Sequence, residues 1–369
     1  MNKMIVANLV HRPVRSLISI FAIAIEVTLI LLIVGLSLGM LNDARGRQAG
    51  IGFDLMVQPP GSSMFSGLSG APVPIKVADK IHAVQGVTAV APVVMQVAST
   101  TNLEVLYGID IPSFESVAGP FKYIAGGPFT GPDDAIVDDY YADSKHAKIG
   151  DPLDALNHRF RIVGIVEHGK GGRKFFPMAT IQQLIGAEGK ASIFYVKLRN
   201  PKDADATAEQ IKQIPGMQEY VIRSLNEYLS QMTPEHLPGF TIFLNVVIGV
   251  AMVIGFIVIF QSMYTAVIER TREIGILKSL GASKSYIVQV ILRETLLLAV
   301  AGIVIGVAIS FVARTALVHK FPTLRISGTF EGYWPFKAAA IAIVGAAVGA
   351  IYPAFKAAQK DPIDALAYE

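Results

Sequence analysis

Four long apolar runs interrupt an otherwise mixed pattern of hydrophobic and polar positions along this chain. They contain few charged residues and lack the alternation of a β-barrel strand, which predicts helices. A bilayer core of about 30 Å needs roughly 20 helical residues, and each run reaches or approaches that length. The runs are Leu17–Leu41, Phe240–Tyr264, Thr295–Val318 and Phe336–Phe355. We therefore expect four transmembrane helices.

The segment between the first two runs, residues 42–239, has a different pattern. Short stretches rich in Val, Ile, Phe and Tyr end at Gly, Pro or Asp, as strands do. The predicted strands are Asp54–Gln58, Val87–Ala98, Leu103–Ile109, Arg159–Val166 and Ile193–Leu198, and the predicted helices are Val77–Val84, Met178–Ile185 and Asp203–Ile214. We expect an α+β domain in two lobes. Its loop Pro59–Gly70 is either a mobile connector or a substrate- or lipid-contacting loop, through Met64 and Phe65.

Composition agrees with a membrane protein, and the placement of charge predicts its orientation. The chain is 52% hydrophobic and 17% charged, with a mean hydropathy of +0.48; soluble domains carry about 25% charge. Basic residues concentrate before the first run, between the second and third, and after the fourth. By the positive-inside rule these segments, including both termini, are cytoplasmic. Some basic residues oppose this orientation, because they lie in the segments assigned to the outside or close to them: Arg45, Arg47, Arg314, Lys320 and Arg325.

The predicted fold class is a membrane protein of four transmembrane α-helices, with a large α+β extracytoplasmic domain inserted between helices 1 and 2. The predicted order is a cytoplasmic N-terminus (1–16), helix 1 (17–41), the extracytoplasmic domain (42–239), helix 2 (240–264), a cytoplasmic loop (265–294), helix 3 (295–318), an external loop (319–335), helix 4 (336–355) and a cytoplasmic tail (356–369). The first run is too long for a signal peptide and precedes no small-residue cleavage site, so we expect a retained helix in the cell inner membrane.

A glycine-rich stretch in the external segment resembles a nucleotide-binding loop. Gly164, Gly169 and Lys170 fit the pattern G-x-x-x-x-G-K-[ST], but Gly171 stands where Ser or Thr would hold the magnesium ion. No helix start follows, although such a loop opens a helix that faces the phosphates. We expect a glycine-rich turn instead. With seven scattered histidines and no cysteine, we also expect no catalytic residue, no metal site and no enzyme activity in this chain.

The loop between the second and third runs has the most informative pattern. Residues 269–283 read ERTREIGILKSLGAS. A charged turn precedes four apolar residues, Ile274, Ile276, Leu277 and Leu280, which predicts a short amphipathic helix. Gly281 is suited to end this helix and Ser283 to cap the next one. The helix either lies at the lipid interface or docks in a groove on a partner protein.

This stretch, with Glu294 at the start of the next run, resembles the signature of the FtsX-like permease family, the membrane subunits of MacB-type (type VII) ABC transporters. The C-terminus is similar to the family's ending, through Pro353-Ala354, Ala357-Ala358, Asp361-Pro362 and Ala365-Leu366, although Ala367 replaces the family's usual Arg. The layout of one helix, a large external domain and three helices also fits. The motifs cover about residues 264–310 and the tail.

The resemblance implies a homodimer bound to two copies of a separate ABC ATPase, which would hold ATP and magnesium. The coupling helix on the ATPase would comprise Glu269, Arg270, Arg272, Glu273, Ile276, Leu277, Lys278, Leu280 and Gly281. ATP-driven motion would reach the external domain by mechanotransmission and move a hydrophobic or amphipathic substrate, such as a lipid, lipoprotein, haem-like molecule or drug, out of the inner membrane. The resemblance also allows a periplasmic adaptor protein as a partner. We do not expect this chain to bind nucleic acid.

Two other functions stay open. A non-transporting mechanotransmitter that regulates external cell-wall hydrolases is expected to have a smaller external domain, which favours export by analogy. A membrane-anchored binding protein without an ATPase does not need the charged-then-apolar loop.

Glu26 is the one carboxylate inside the four runs. At the centre of a membrane helix it costs about 2.5 kcal/mol or more, so we expect it to face protein or water. It is a polar contact for substrate or a dimer interface, or a hydrogen-bond partner of Thr28 or a neighbouring helix, or it lies near the membrane surface. Three G-x-x-x-G pairs, Gly35–Gly39, Gly302–Gly306 and Gly345–Gly349, predict close helix packing within one subunit.

Overall fold

The computed structural model describes residues 13–62, 71–99, 103–237, 239–320 and 333–360. Met64 and Phe65 of the predicted contact loop therefore lie outside the described residues. The chain divides into two compact units. One comprises Met1–Met40, Gly239–His319 and Leu324–Glu369, and the other comprises Leu41–Pro238 with Lys320–Thr323. We call them the helical unit and the inserted domain.

The described residues form the following elements. The helices are α1 (Pro13–Ile51), α2 (Val77–His82), α3 (Ile111–Ala118), α4 (Asp139–Lys145), α5 (Met178–Leu184), α6 (Ala204–Lys212), α7 (Leu225–Gln231), α8 (Phe240–Glu269), α9 (Thr271–Ser279), α10 (Lys284–Lys320) and α11 (Trp334–Gln359). The strands are β1 (Leu55–Gln58), β2 (Val73–Pro74), β3 (Val87–Ser99), β4 (Leu103–Ile109), β5 (Tyr123–Gly126), β6 (Asp134–Asp138), β7 (Pro152–Ala155), β8 (His158–Val166), β9 (Lys174–Pro177), β10 (Lys190–Ala191), β11 (Ile193–Leu198) and β12 (Val221–Ser224).

Four helices, α1, α8, α10 and α11, are long and apolar enough to cross a membrane. One precedes the inserted domain and three follow it, which confirms the predicted fold class. α1 extends beyond the apolar run at both ends and continues without a break to Ile51. A helix of 39 residues is about 58 Å long, nearly twice the thickness of a bilayer core.

Glycines set the close helix contacts of the helical unit. A Cβ added at Gly302 would lie 2.7 Å from the Ile23 Cβ, and one at Gly306 would lie 2.7 Å from the Ala24 carbonyl oxygen, so both glycines of α10 pack on α1. A Cβ at Gly349 of α11 would lie 2.9 Å from the Phe256 carbonyl oxygen of α8. These two glycine pairs therefore pack helices within one chain, as predicted.

The inserted domain is built on one ten-stranded sheet. Its strand order is β12-β1-β11-β3-β4-β9-β6-β8-β5, and β7 adds to β8. The β4–β9 and β6–β8 pairs are parallel, while β3 and β4 form an antiparallel pair from Val93–Ile109 to Ser99–Leu103. The two-lobe arrangement predicted from the sequence is wrong for the sheet, because β4 joins β9 and carries the hydrogen bonding across the whole domain.

Apolar side chains fill both faces of this sheet. One cluster contains an aromatic group in which Phe121 lies edge-on to Phe175, with centroids 5.1 Å apart, and stacks with Phe114 at 5.6 Å. Helix caps fix the connections: Asp110 accepts a hydrogen bond from the Ser113 N–H, and Asp138 accepts one from the Tyr141 N–H.

The glycine-rich stretch forms a turn between β8 and β9. The Lys170 ammonium donates hydrogen bonds of 2.6 to 2.8 Å to the carbonyl oxygens of Ala118, Gly119 and Pro120, just after α3. Gly171 has φ +74° and no helix follows it, since β9 begins at Lys174. This lysine is thus committed to backbone carbonyls at a helix C-terminus, where a cation is favourable, and not to a phosphate.

An ion-pair network fastens the end of α1 inside the inserted domain. The Arg173 guanidinium donates to Asp138 at 3.1 Å and to Asp43 at 2.9 Å, and Arg47 also donates to Asp43. Arg47 Nε reaches the Gly171 carbonyl oxygen at 3.0 Å. Asp138 is only 1% exposed, so one end of this network is enclosed by the fold, while the Arg173 and Arg47 side chains are 20% and 24% exposed. We call these four residues the Arg173 cluster.

Candidate functional site

The chain turns sharply between α8 and α10, and α9 occupies that turn. α8 ends at Glu269 and α9 begins at Thr271; Arg270 between them has a backbone (φ −112°, ψ 17°) that departs from helical geometry. Gly281, with φ +93°, lies just past the end of α9, and the Ser283 hydroxyl accepts a hydrogen bond from the Tyr286 N–H to cap α10. The predicted roles of Gly281 and Ser283 in ending and capping helices are confirmed.

The apolar residues of α9 divide between two faces. Ile274 and Leu277 are half-buried and pack against the core of the helical unit. Ile276 is 45% exposed and Leu280 80% exposed, and Arg272, Glu273 and Ser279 are exposed beside them. The sequence grouped all four apolar residues on one side. At 100° per residue, however, position 276 lies about 160° away from position 274, so one side of the helix cannot hold both. Leu280 is exposed because it follows Ser279, the last residue of α9.

A buried ion pair joins the two ends of the turn. Arg270 Nη1 lies 3.0 Å from Glu294 Oε2, and Arg270 Nε lies 3.1 Å from Glu273 Oε2. The Glu294 side chain is 3% exposed and the Glu273 side chain 61% exposed. The arginine therefore connects the end of α8 to the first third of α10, and it keeps a second carboxylate at the surface of α9.

The turn encloses a pocket of about 290 Å³, which we call the elbow pocket. Apolar side chains from three helices line it, with Arg270, Glu273 and Glu294 among them. They include Met263 and Val267 of α8, Ile274, Ile276 and Leu277 of α9, and Ile287 and Ile291 of α10, so Ile276 borders the pocket although it is 45% exposed. Since Leu277 and Ile274 form one wall, the predicted docking residue Leu277 belongs to the inner side of α9.

Lys278 connects α9 to a fourth element. Its ammonium donates to the carbonyl oxygen of Ala358 at 3.0 Å and to that of Lys360. These are among the last carbonyls of α11, which lack partners within the helix and favour a cation. Helix α9 is thereby held to α8 by the chain, to α10 through Arg270 and to α11 through Lys278.

Glu26 lies in the helical unit, away from α9. It is 5% exposed and faces Gly255 near the middle of α8, where an added Cβ would overlap its carboxylate. Thr28 donates instead to the carbonyl oxygens of Ala24 and Gly306, so it is not the partner of Glu26. Among the described residues Glu26 Oε1 has no hydrogen-bond partner. The position opposite the centre of α8 argues against the interpretation that Glu26 lies near the membrane surface.

We also searched the described part of the chain for metal-binding groups. It contains no group of three His, Cys, Asp or Glu side chains that could hold a metal ion. The sequence did not reveal the Arg270–Glu294 pairing, the inward side of Leu277 or the elbow pocket. A signal for the pairing existed: Glu294 directly precedes the apolar third run, where a carboxylate needs a cationic partner, and Arg270 is a cation of the preceding loop.

These features define a class: a polytopic membrane protein with an α/β domain inserted after its first spanning helix and an amphipathic turn between its second and third. Residues 16–214 match the model of the MacB-like periplasmic core domain, and residues 245–362 match that of the FtsX-like permease C-terminal region. The first match alone covers more than half of the chain. The protein belongs to the FtsX-like permease family of MacB type.

Relatives agree with this assignment. The chain is 24% identical over 234 residues to an uncharacterized ABC transporter permease, MJ1507, of Methanocaldococcus jannaschii, covering 60% of this chain and 58% of that one. It is 34% identical over 131 residues to the ABC transporter permease YknZ of Bacillus subtilis, covering 35% of this chain and 32% of YknZ. The macrolide export ATP-binding/permease protein MacB of Shigella sonnei is 25% identical over 235 residues, covering 60% of this chain and 35% of MacB.

The chain thus spans about a third to somewhat more than half of the length of these relatives. Among solved structures, the periplasmic region of MacB from Actinobacillus actinomycetemcomitans covers 48% of this chain and 92% of its own, with 18% identity and a TM-score of 0.38.

Proposed function

We propose that this protein is the membrane subunit of an ABC exporter and that the outer face of α9 docks on a separate ATPase subunit. Two ATPase copies would serve a homodimer of this chain, with α9 and both termini on the cytoplasmic side. ATP and magnesium would be held by the ATPase. The movement would pass through the spanning helices to the inserted domain and move a hydrophobic or amphipathic substrate away from the membrane.

The observation that carries this proposal is the threefold attachment of α9. Its outer face presents Ile276 and Leu280 with charged neighbours, which is the composition of a helix that docks in an apolar groove. Its inner face is held to α10 by the Arg270–Glu294 pair and to α11 by Lys278. A partner that pushes on the outer face therefore displaces three spanning helices together, and not one flexible loop.

Exposed leucine and isoleucine on a short helix also suit a helix that rests in lipid. Docking is favoured because Arg272 and Glu273 lie beside the apolar residues and are exposed with them. A partner groove can pair both charges, whereas a lipid-facing surface cannot bury a carboxylate without cost.

We further propose that Glu26 contacts the transported substrate. A buried carboxyl oxygen without a hydrogen-bond partner is costly, and a ligand with a donor group would offset that cost. Met64 and Phe65 remain proposed contacts for an apolar substrate or for lipid. The substrate class stays a lipid, lipoprotein, haem-like molecule or drug. A periplasmic adaptor is a further proposed partner.

The test begins with the ATPase that co-purifies with this protein from its native membrane. ATP hydrolysis is measured in proteoliposomes with the wild-type chain and with Ile276→Ser/Leu280→Ser. We expect the double variant to lose about tenfold or more of its stimulation of the ATPase, because two docking side chains lose apolar contact. Its thermal unfolding should match the wild type, since both side chains are exposed.

The matched control is Leu184→Ser, which changes an exposed leucine of the inserted domain and should leave stimulation intact. Leu277 is unsuitable for this test, because it is half-buried and a polar residue there would disturb the elbow pocket as well as any docking. Ile276 also borders the pocket, so Leu280→Ser alone, at an 80% exposed position outside the pocket lining, separates docking from the pocket. Unchanged stimulation in the double variant would refute the docking assignment. Recovery of an ATPase together with a cell-wall hydrolase, and no transported molecule, would favour the non-transporting alternative.

A further inference from the structure

The two ends of α11 carry the same unusual arrangement, a lysine held over aromatic rings. At its start, the Lys337 ammonium lies 4.6 Å from the Trp334 ring centroid and 5.9 Å from that of Tyr333. Near its end, the Lys356 ammonium lies 4.8 Å from the Tyr264 centroid and 5.9 Å from that of Tyr352. Lysines and aromatic rings of this kind collect where hydrocarbon meets headgroups.

The distance between these lysines matches a bilayer. Positions 337 and 356 are 19 residues apart in one helix, which is about 28 Å at 1.5 Å per residue. The hydrocarbon core is about 30 Å thick. In a helix that crosses the bilayer, two lysines with this spacing fall at the level of the headgroups of opposite leaflets. Lys356 is on the side of α9, because Lys278 of α9 bonds the Ala358 carbonyl oxygen two residues further along.

The two ends differ in their hydrogen bonding. Lys356 donates to the Tyr264 hydroxyl at 2.8 Å, across from α11 to α8. A lysine carries three N–H donors and no acceptor, and a phenol that accepts still has its own O–H to donate. With Tyr352 beside them, donors exceed acceptors in this group. Within the described part of the chain, Lys356 has no carboxylate partner. The group thus offers positive charge and several donors to an acceptor from outside the chain.

An apolar surface runs from this group toward the middle of the membrane. Phe256, Phe260 and Tyr264 stack along α8 at centroid distances of 6.0 and 5.9 Å, and Tyr352 of α11 packs on Phe260 at 5.8 Å. Tyr352 is 55% exposed. Acyl chains can lie against such a row of rings while the headgroup meets the donors. The combination is amphipathic in the same sense as a phospholipid.

We propose that Lys356, Tyr264 and Tyr352 form a binding site for the phosphate of an anionic phospholipid, in the leaflet on the side of α9. The occupant follows from the chemistry: a phosphodiester supplies the missing acceptors and a negative charge, and its acyl chains cover the Phe256–Phe260–Tyr264 row. Lysine is a suitable point charge for phosphate. The site is independent of ATPase docking, and only the name of the leaflet depends on the proposed orientation.

The test measures lipid retention by native mass spectrometry of the full chain, purified in detergent and titrated with phosphatidylglycerol. The variants are Lys356→Met, which keeps the apolar stem without the charge, and Tyr264→Phe, which removes only the hydroxyl. We expect the apparent affinity to fall about tenfold in Lys356→Met, and several-fold in Tyr264→Phe, because charge-assisted hydrogen bonds are lost. Diacylglycerol, which has the chains without the phosphate, should not be retained.

Lys337→Met is the matched control, since it removes a lysine held over two rings at the other end of the same helix. Its affinity for phosphatidylglycerol should equal that of the wild type. Equal retention by wild type, Lys356→Met and Tyr264→Phe would overturn the proposal. So would an equal loss in Lys337→Met, which would show general interfacial attraction. Displacement by the soluble headgroup glycerophosphoglycerol would overturn the lipid as occupant. Should Lys356→Met fail to fold, Tyr264→Phe decides the outcome alone.

Discussion

Arg173 and Arg270 each hold two carboxylates, one of them almost fully buried, yet their surroundings differ. Arg173 lies in the inserted domain, over the Tyr140 ring and between Asp138 and Asp43, and Arg47 shares the second carboxylate. Arg270 lies in the helical unit, on the wall of the elbow pocket. The first network adjoins no comparable pocket in the described residues and buries Asp138 to 1% exposure, whereas the second borders the elbow pocket.

This difference indicates which ion pair can rearrange. A buried charge whose partner moves must be rehydrated or paired again, or it costs several kcal/mol. In the Arg173 cluster the Asp138 carboxylate is cut off from water and depends on Arg173, so we expect the cluster to hold the end of α1 in one geometry. Around Arg270 the pocket leaves room, and Glu273 stands at the surface as a second partner. We expect the turn, and not the inserted domain, to change shape during a transport cycle.

The largest predicted effect comes from removing Arg173. In Arg173→Met, Asp138 stays buried without its cation, so we expect the free energy of unfolding of the inserted domain to fall by roughly 3 to 5 kcal/mol. Chemical unfolding of the detergent-solubilised chain, followed by hydrogen exchange at β6 and β9, measures this. Arg161→Met is the control: this arginine is 65% exposed at 3.6 Å from Asp134 and should cost less than about 1 kcal/mol. Similar losses in both variants would contradict the description of a closed cluster.

The next effect depends on pH. Burial raises the pKa of Asp138 from 3.8 to about 6, against the lowering effects of the Tyr141 N–H and Arg173. Because the folded pKa exceeds the unfolded one, its contribution to stability is complete below about pH 4 and is lost as pH rises through 6. The lost contribution is about 3 kcal/mol by pH 7.

Asp138→Asn removes this titration while keeping a side chain that can cap α4. The difference in unfolding free energy between wild type and variant should therefore change between about pH 4 and pH 6. Above about pH 6 this difference should be constant. A pH series of unfolding curves checks this, and a constant difference across the series would show that Asp138 does not titrate in that range.

A smaller loss of stability is expected at the elbow. In Glu294→Gln the amide oxygen still accepts a hydrogen bond and Arg270 keeps Glu273, so we expect a loss of about 1 to 2 kcal/mol. Stimulation of the ATPase should also fall, and by more than this loss of stability alone would cause. The reason is that α9 loses its charged attachment to α10. If this variant is as destabilised as Arg173→Met, the elbow is as closed as the Arg173 cluster and our comparison is wrong.

The smallest effect concerns the end of α9. Gly281 has φ +93°, which L-residues with a Cβ adopt at a cost, so Gly281→Ala should destabilise the helical unit by about 1 kcal/mol. Thermal unfolding of the purified chain measures this. Gly46→Ala in α1 is the control: no atom lies within 4 Å of its added Cβ, and alanine is the better helix former, so it should be neutral or slightly stabilising. A loss of stability in Gly46→Ala but not in Gly281→Ala would contradict the conclusion that position 281 requires glycine.

Much of the fold followed from periodicity. The four apolar runs, the longest strands β3, β4, β8 and β11, and the helix signals at Gly281 and Ser283 are local, and sequence alone identified them. Among the short strands β1 was predicted, but β6 and β9 were missed, because five residues or fewer give little periodic signal. The continuous sheet was also missed, since pairing between β4 and β9 joins residues that are far apart in the chain.

The candidate site was predicted in composition but not in geometry. The sequence indicated α9 and Glu294 as functional. Which apolar residues of α9 are buried depends on what the helix packs against. Leu277 looked equivalent to Leu280 by hydrophobicity, yet one lines the elbow pocket and the other is 80% exposed. Lys278 was predicted as part of the coupling helix on the ATPase, and its ammonium donates to the last carbonyls of α11, a contact that only the tertiary arrangement of the helical unit reveals.

The two lysines on α11 have a consequence for the membrane in which this protein works. Both ammonium groups are held by rings, so neither can stretch freely to follow a receding headgroup layer. A bilayer much thicker than the roughly 28 Å between them must thin around α11, and a thinner one must make the helix tilt. We therefore expect hydrophobic mismatch to tilt α11 and, through the Lys278 contact, to shift α9, so that this protein responds to lipid chain length.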